Sequence, residues 1–357
     1  MEPLLQIKEL TAGFAADHGI VKAIDRISLA ISKGQTLCLV GESGSGKSVT
    51  SLAIMRLLEF AGGRILEGSV RLSGDELTNQ SQRQMIRIRG NRMAMIFQEP
   101  MSALNPVFTV GEQIAESIRL HQRKRKSEAK QMAVEMLRLV GIPDPETRAE
   151  QYPHELSGGM CQRVVIAIAL ACKPELLIAD EPTTALDVTV QAQLLDLLQQ
   201  LQRELGMTML LITHDMGVAA RMADQIAVMY AGAVVEIGTA EALFDHPAHP
   251  YTVGLMQSVP SMEGERLSEL RTIRGHVPSL HALPAGCRFH PRCPLAMPRC
   301  SAEAPSMLAV GPQQQAACWL YDEDAHSSNR PDQESRAYAM QDNSRVLDSG
   351  NGEGGIR

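Results

Sequence analysis

Aromatic residues are scarce: six Phe, five Tyr and one Trp make up 3% of a 357-residue chain. The core must therefore rest on Leu, Ile, Val and Ala, helped by 19 methionines. Long apolar runs are missing too. The longest, residues 164–172 (VVIAIALAC), falls well short of the roughly 18 residues that a membrane span needs. The N-terminus, MEPLLQIKEL, carries an early acid and lacks a signal-peptide pattern, so a cytoplasmic protein is expected. There is no basic excess. The net charge of −7 argues against a nucleic-acid partner. Cysteines number seven, an odd count, which suits thiols or metal ligands better than a disulfide framework. What is present is ordinary for a soluble globular protein, with 44% apolar and 21% charged residues. The length allows about two domains.

Residues 4–74 read as strands punctuated by glycine, able to form an antiparallel sheet. Residues 92–97 (RMAMIF) read as a further strand, ending at Gln98. From Val110 to about Gly141 the apolar period becomes helical, with Ser127 a candidate N-cap. The RKRK between the two helical stretches, residues 123–126, reads as a solvated connection. Two short apolar runs, residues 176–180 and 208–215, flank a helical pattern over 190–205. That is β-α-β logic and implies parallel pairing. Residues 225–239 read as a hairpin turning at Ala231 and Gly232. Beyond Gly238 proline and histidine accumulate, and four cysteines fall between Gly286 and Trp319. From Tyr321 the chain is polar and aperiodic, and is expected to be disordered.

The sequence LCLVGESGSGKSVT holds the clearest chemistry. Gly41, Glu42, Ser43, Gly44, Ser45, Gly46, Lys47 and Ser48 follow a buried strand in the pattern G-x-x-x-x-G-K-S. Small residues let successive N–H groups turn inward on one anion. Lys47 adds a point charge, the Ser48 hydroxyl can ligate a hard cation, and from Val49 onward the chain suits a helix whose dipole favours an anion. Residues 176–181 (LLIADE) end an apolar strand in two carboxylates. Asp180 would stand near the cation on Ser48, and Glu181 where it could deprotonate a water. Alone these would be solvent-facing acids; beside the glycine loop they are not. A second anion site is expected at Ser157, Gly158 and Gly159, where ELSGGM opens a helix. A plain N-cap by Ser157 is the simpler reading. Two anion sites and one triphosphate are reconciled if this second loop covers the nucleotide of another subunit.

These motifs, in this order over roughly residues 4–238, resemble those of the nucleotide-binding subunit of ATP-binding-cassette (ABC) transporters. GESGSGKS resembles the Walker A loop, and LLIADE resembles Walker B plus the catalytic glutamate. LSGGM is similar to the signature LSGGQ, with Met160 in place of the glutamine. Gln98 resembles the Q-loop residue, TALD at residues 184–187 the D-loop, and His214 the switch histidine. Phe14 is placed as the aromatic that stacks on adenine.

The resemblance implies an α/β fold: a RecA-like P-loop core, an N-terminal antiparallel β subdomain and an α-helical signature subdomain over about 106–172, all within residues 4–240. It implies ATP and Mg²⁺ as cofactors and two such subunits closing head to tail. Lys47 would hold the β- and γ-phosphates, while Ser48, Gln98 and Asp180 would surround the Mg²⁺. Glu181 would polarise the water and His214 would contact the γ-phosphate. Ser157 and Gly159 would reach that phosphate from the opposite subunit, and Asp187 would lie at the seam.

FQEPMSALNP, HPAHPYT and the extension GCRFHPRCPLAMPRC…ACW resemble those of oligopeptide, dipeptide and nickel importers. This branch implies a partner ATPase, identical or different, two transmembrane permease subunits and an extracytoplasmic solute-binding protein. The chain would sit peripherally on the cytoplasmic face of the membrane. A soluble ABC-type ATPase is the competing reading; it usually carries two cassettes or a coiled-coil insertion, and neither is seen here. The extension, residues 241–320, carries Cys287, Cys293, Cys300 and Cys318, a number that suits a tetrathiolate site. Some relatives with this extension carry a [4Fe–4S] cluster there; zinc and four reduced thiols are the alternatives. Cys38, Cys161 and Cys172 are expected to be structural, in a core strand or the signature helix. His246 and His249, each followed by proline, read as an extended docking segment and not as a metal site.

Overall fold

The computed structural model describes residues 2–16, 19–184, 187–258 and 273–322. The tail expected to be disordered falls, from residue 323, outside the described residues, as do Ala185 and Leu186 of the TALD segment.

Among the described residues twelve strands form two sheets. β1 (Leu5–Ala16), β2 (Gly19–Ile31), β4 (Gly63–Leu72) and β5 (Asp75–Glu76) make an antiparallel sheet in the order β2-β1-β4-β5. The larger sheet has eight strands. β3 (Thr36–Val40), β6 (Met93–Ile96), β7 (Leu176–Asp180), β8 (Thr208–Thr213) and β9 (Gln225–Tyr230) run parallel in the order β9-β3-β8-β7-β6. Beyond β9 come β10 (Ala233–Thr239), β12 (Gln314–Ala316) and β11 (Leu308–Gly311), all antiparallel. Ala231 and Gly232 both adopt positive φ between β9 and β10, the conformation that a tight two-residue hairpin demands.

β3, β7 and β8 are buried from end to end and mostly apolar, because both faces of the sheet are covered. Side chains alternate between two cores. Leu37 and Leu39 point to the core shared with β1, β2 and the helix Lys47–Ile54. Cys38 and Val40 point to the core shared with Val110–Gln122, Lys126–Leu139, Gly158–Leu170 and Val188–Leu205. Register brings Val40 beside Thr213 and Asp180 beside Ile212. The parallel strands therefore end together, and their following loops share one edge, where open α/β sheets bind ligands.

Three local expectations need correction. Ser127 is the second residue of Lys126–Leu139 and not its cap. Arg123, in the left-handed region, has already ended the preceding helix, and Glu128 supplies the first-turn acid, paired with Lys124. Cys172 lies just past Gly158–Leu170, its thiol against Ser117. His249 itself keeps an extended backbone, but from Pro250 the segment turns helical. Proline at the first helical position is preorganised for a helix, and His249 caps Pro250–Gln257, its Nδ1 accepting from Tyr251 N at 3.1 Å.

The C-terminal segment is built into the sheet. β12 pairs with β10 at Glu236 and Ile237. Buried Glu236 accepts from Ala248 N, His249 N and Gln314 Nε2, each at 2.8 Å. One carboxylate thus joins β10, the entry to Pro250–Gln257, and β12.

Candidate nucleotide site

The site begins where β3 ends. A Cβ on Gly41 would lie 2.2 Å from Met229 O, so only glycine lets the loop pass β9. Gly46, at φ 104°, opens the helix Lys47–Ile54 and offers no side-chain cap. The first N–H groups of that helix are left to point into the loop. Lys47 is buried and its Nζ donates to Gly41 O at 2.8 Å and Glu42 O at 3.1 Å. Burial pulls its ammonium below the usual lysine range, and Glu181, Asp180 and Glu42 oppose this.

Across the sheet, Asp180 accepts from Ser48 Oγ at 3.2 Å and Ser51 Oγ at 3.4 Å. Burial pushes its carboxyl up. Glu181 follows at φ 47°, a left-handed conformation that a non-glycine residue rarely takes and that concentrates at functional sites. Its carboxylate accepts from Gln98 Nε2 at 3.1 Å and Thr184 Oγ1 at 3.0 Å, and His214 Nδ1 stands 3.3 Å away. Gln98 therefore groups with Glu181 in this chain, whereas Ser48 and Asp180 form the adjoining pair.

One cavity of about 750 Å³ collects these groups, in the range of small-molecule sites. Phe14, Gly41, Glu42, Ser43, Gly44, Gly46, Lys47, Ser48, Val49, Gln98, Glu181 and His214 line it. Ser45 and Asp180 are buried behind that wall. Ser157, Gly158, Gly159 and Asp187 are not among its lining. Ser157 caps its own helix, accepting from Met160 N at 3.4 Å, and Asp187 caps Val188–Leu205, accepting from Val190 N at 3.0 Å. Six participants went unread in the sequence: Ala23, Leu255 and Leu280 in the cavity wall, Ser51 on Asp180, and Tyr251 and Arg292 on Glu42. HPAHPYT and GCRFHPRC drew notice as motifs without pointing to Tyr251 or Arg292.

A second, small cavity is lined by Cys287, Cys293, Cys300 and Cys318 together with His249, Phe289, His290 and Trp319. Burial pushes the Cys293 thiol up to about 11 and the Cys318 thiol up to about 12. Among the described residues no group of three His, Cys, Asp or Glu side chains is arranged to hold a metal ion.

A phosphate loop between a strand and a helix, adjoining acids at the end of a parallel strand, and an antiparallel sheet at its flank define the cassette class of P-loop ATPases. Comparison with known proteins agrees. The family described as "ABC transporter" matches residues 24–184, and that described as "Oligopeptide/dipeptide transporter, C-terminal region" matches residues 235–300. The oligopeptide transport ATP-binding protein AppD of Bacillus subtilis is 50% identical, over 91% of this chain and 98% of its own. The dipeptide transport ATP-binding protein DppD of Escherichia coli is 47% identical, over 88% of this chain and 96% of its own. Among solved structures, the dimeric ATP-binding cassette MJ0796 bound to ADP and Pi superimposes with a TM-score of 0.60 at 28% identity, covering 66% of this chain and 98% of that one. The chain belongs to the ATP-binding proteins of ABC transporters, in the oligopeptide/dipeptide branch. It is an ATPase that works on ATP with Mg²⁺.

Proposed function

We propose that this ATPase energises import of peptides, or of a related small solute such as nickel, across the cytoplasmic membrane. The observation that carries the site is the meeting of Lys47, Ser48, Gln98, Glu181 and His214 in one cavity, with Asp180 bonded to Ser48 behind them. Phosphates would lie on the loop from Gly41 to Ser48, and adenine against Phe14. Mg²⁺ would be held by Ser48 and Asp180, with Gln98 within reach. Glu181, oriented by Gln98, Thr184 and His214, would take the proton of the attacking water.

Ser157, Gly158 and Gly159 would meet the nucleotide of a second ATPase subunit, with Asp187 at the seam. The exposure of Ser157, Gly158 and Asp187, with Gly159 half-buried, outside the cavity supports this, as does the dimeric state of MJ0796. Among the described residues no helix is long and apolar enough to cross a membrane. Two permease subunits would therefore supply the pore, with this chain on their cytoplasmic side and an extracytoplasmic binding protein choosing the solute. Residues 4–240 would form the nucleotide-binding domain, with its helical part over about 106–172, and residues 241–320 the extension.

The four cysteines share one cavity, and the thiols of Cys287, Cys293 and Cys318, raised by burial, would need a cation to ionise together. They would hold a [4Fe–4S] cluster, with zinc the alternative. A tetrahedral zinc would take all four sulfurs at about 2.3 Å. A bound cluster would supply a redox-active centre tuned by its surroundings.

The test is Glu181→Gln in the assembled transporter. It should keep ATP binding, lose turnover by about two orders of magnitude or more, as removal of a general base does, and accumulate an ATP-bound dimer. Unchanged hydrolysis would remove Glu181 from its role.

A further inference from the structure

Glu42, the second residue of the phosphate loop, is held by the C-terminal segment at both its side chain and its backbone. Arg292 meets its carboxylate as a fork, Nη1 2.7 Å from Oε2 and Nη2 3.1 Å from Oε1. Such paired bonds fix orientation as well as distance. The Glu42 N–H donates to the Tyr251 hydroxyl at 2.9 Å. Its carbonyl accepts from Lys47 Nζ at 3.1 Å.

The two residues that grip it are themselves fixed. The Arg292 side chain is 6% exposed. Its Nε donates to Arg274 O at 3.0 Å and its Nη2 to Ile273 O at 3.3 Å, and its guanidinium lies 5.7 Å from the Tyr230 ring centre. Tyr251 is fully buried, its ring 4.6 Å from that of Tyr230. A carboxylate in an anion-binding loop also repels the anion unless a cation neutralises it. Arg292 is that cation.

We propose that Arg292 and Tyr251 are positioning residues of the phosphate loop. By holding and neutralising Glu42 they set how tightly the site binds nucleotide. This rests on the reading of residues 41–48 as the nucleotide site, and the test separates the two.

The full chain is titrated with MgADP, with Lys47→Ala as the control for the loop. Arg292→Gln should weaken MgADP binding about tenfold, because a charge-assisted pair is lost and a carboxylate is left bare beside the phosphates. In a Glu42→Gln background the same substitution should change affinity by less than about twofold, since sites that act through one contact are not additive. A merely structural Arg292, anchoring the segment through Arg274 and Ile273, would weaken binding equally in both backgrounds. That result, or wild-type affinity in Arg292→Gln, overturns the proposal. Arg292→Lys, which keeps the charge and loses the fork, should fall between; it and Glu42→Gln carry the test if Arg292→Gln does not fold. If Lys47→Ala binds MgADP as the wild type does, the loop reading itself falls. If Lys47→Ala abolishes binding while Arg292→Gln is silent, only the positioning role falls.

Discussion

Phe289→Ala should unfasten the C-terminal segment from the nucleotide site. In a chain so poor in aromatics, three of them meet here. The Phe289 ring lies 5.2 Å from Tyr230, edge-on at 87°, and 5.4 Å from Tyr251, with His249 at 5.7 Å. Phe289 is 2% exposed and lines the cysteine cavity on its other side. A buried aromatic removes about 150 Å² or more from water, worth about 4 kcal/mol at ~25 cal/mol/Å² as an upper bound. Truncation to alanine in a rigid site costs about 3–5 kcal/mol, so the two routes agree. The one tryptophan, Trp319, sits in the same segment, its indole N–H donating to Glu303 O at 3.0 Å. Its fluorescence reports that segment, while far-UV dichroism reports the whole chain. With a urea m-value of about 2–3 kcal/mol/M, the Trp319 midpoint should fall by about 1–2 M. Phe289→Leu, close in volume, should cost less than about 1.5 kcal/mol. A shift under about 0.3 M in Phe289→Ala would show that the segment is not held by this cluster, and the reasoning would fail.

His249 is buried, and burial pulls its ring from 6.5 down to about 3. It stays neutral in the fold while the unfolded chain takes up a proton, so its contribution to stability is complete above pH 6.5 and is lost as pH falls toward 3, by up to ~1.4 kcal/mol per pH unit. Glu236, raised by burial, works in the opposite sense above its ordinary range, so the comparison needed is wild type against His249→Gln in urea melts at each pH. A difference that stays constant from pH 4 to 7 would contradict the assignment. Anaerobic purification should give a brown chain with about four irons, lost in Cys293→Ser; a colourless chain free of iron and zinc would rule the cluster out.

The nucleotide machinery was legible because it is local. A buried run, a glycine loop and a lysine are contiguous, and the acids of LLIADE close a strand that lies two places along the same sheet. The central strands announced themselves as apolar runs, and the hairpin at Ala231 and Gly232 by its turn. The C-terminal segment did not, for two reasons. β11 and β12 are four and three residues long, too short for alternation to declare a face. Its decisive contacts also lie far apart in the chain: Arg292 meets Glu42 across 250 residues. No periodicity encodes such a pair. Gln98 and Glu181 were each singled out, yet their hydrogen bond joins residues 83 apart and follows only from the register of β6 on β7.

At the proposed site the charges would favour entry of nucleotide and cation together. Lys47 faces three carboxylates, those of Glu181, Asp180 and Glu42, and Arg292 cancels only the last. Two adjacent acids therefore share one buried lysine. Burial and the neighbouring Glu181 both push the Asp180 carboxyl toward its protonated form, while Ser48, Ser51 and Lys47 pull the other way. A triphosphate adds negative charge and would worsen the imbalance. A divalent cation beside Ser48, as proposed, would reverse it, since an opposite charge within a few ångströms favours the ionised carboxylate. Phosphates would then find Lys47 and the N–H groups at the start of Lys47–Ile54 without a competing acid. The loop supplies too little positive charge for the nucleotide alone, and the acids too much negative charge to stand without the metal.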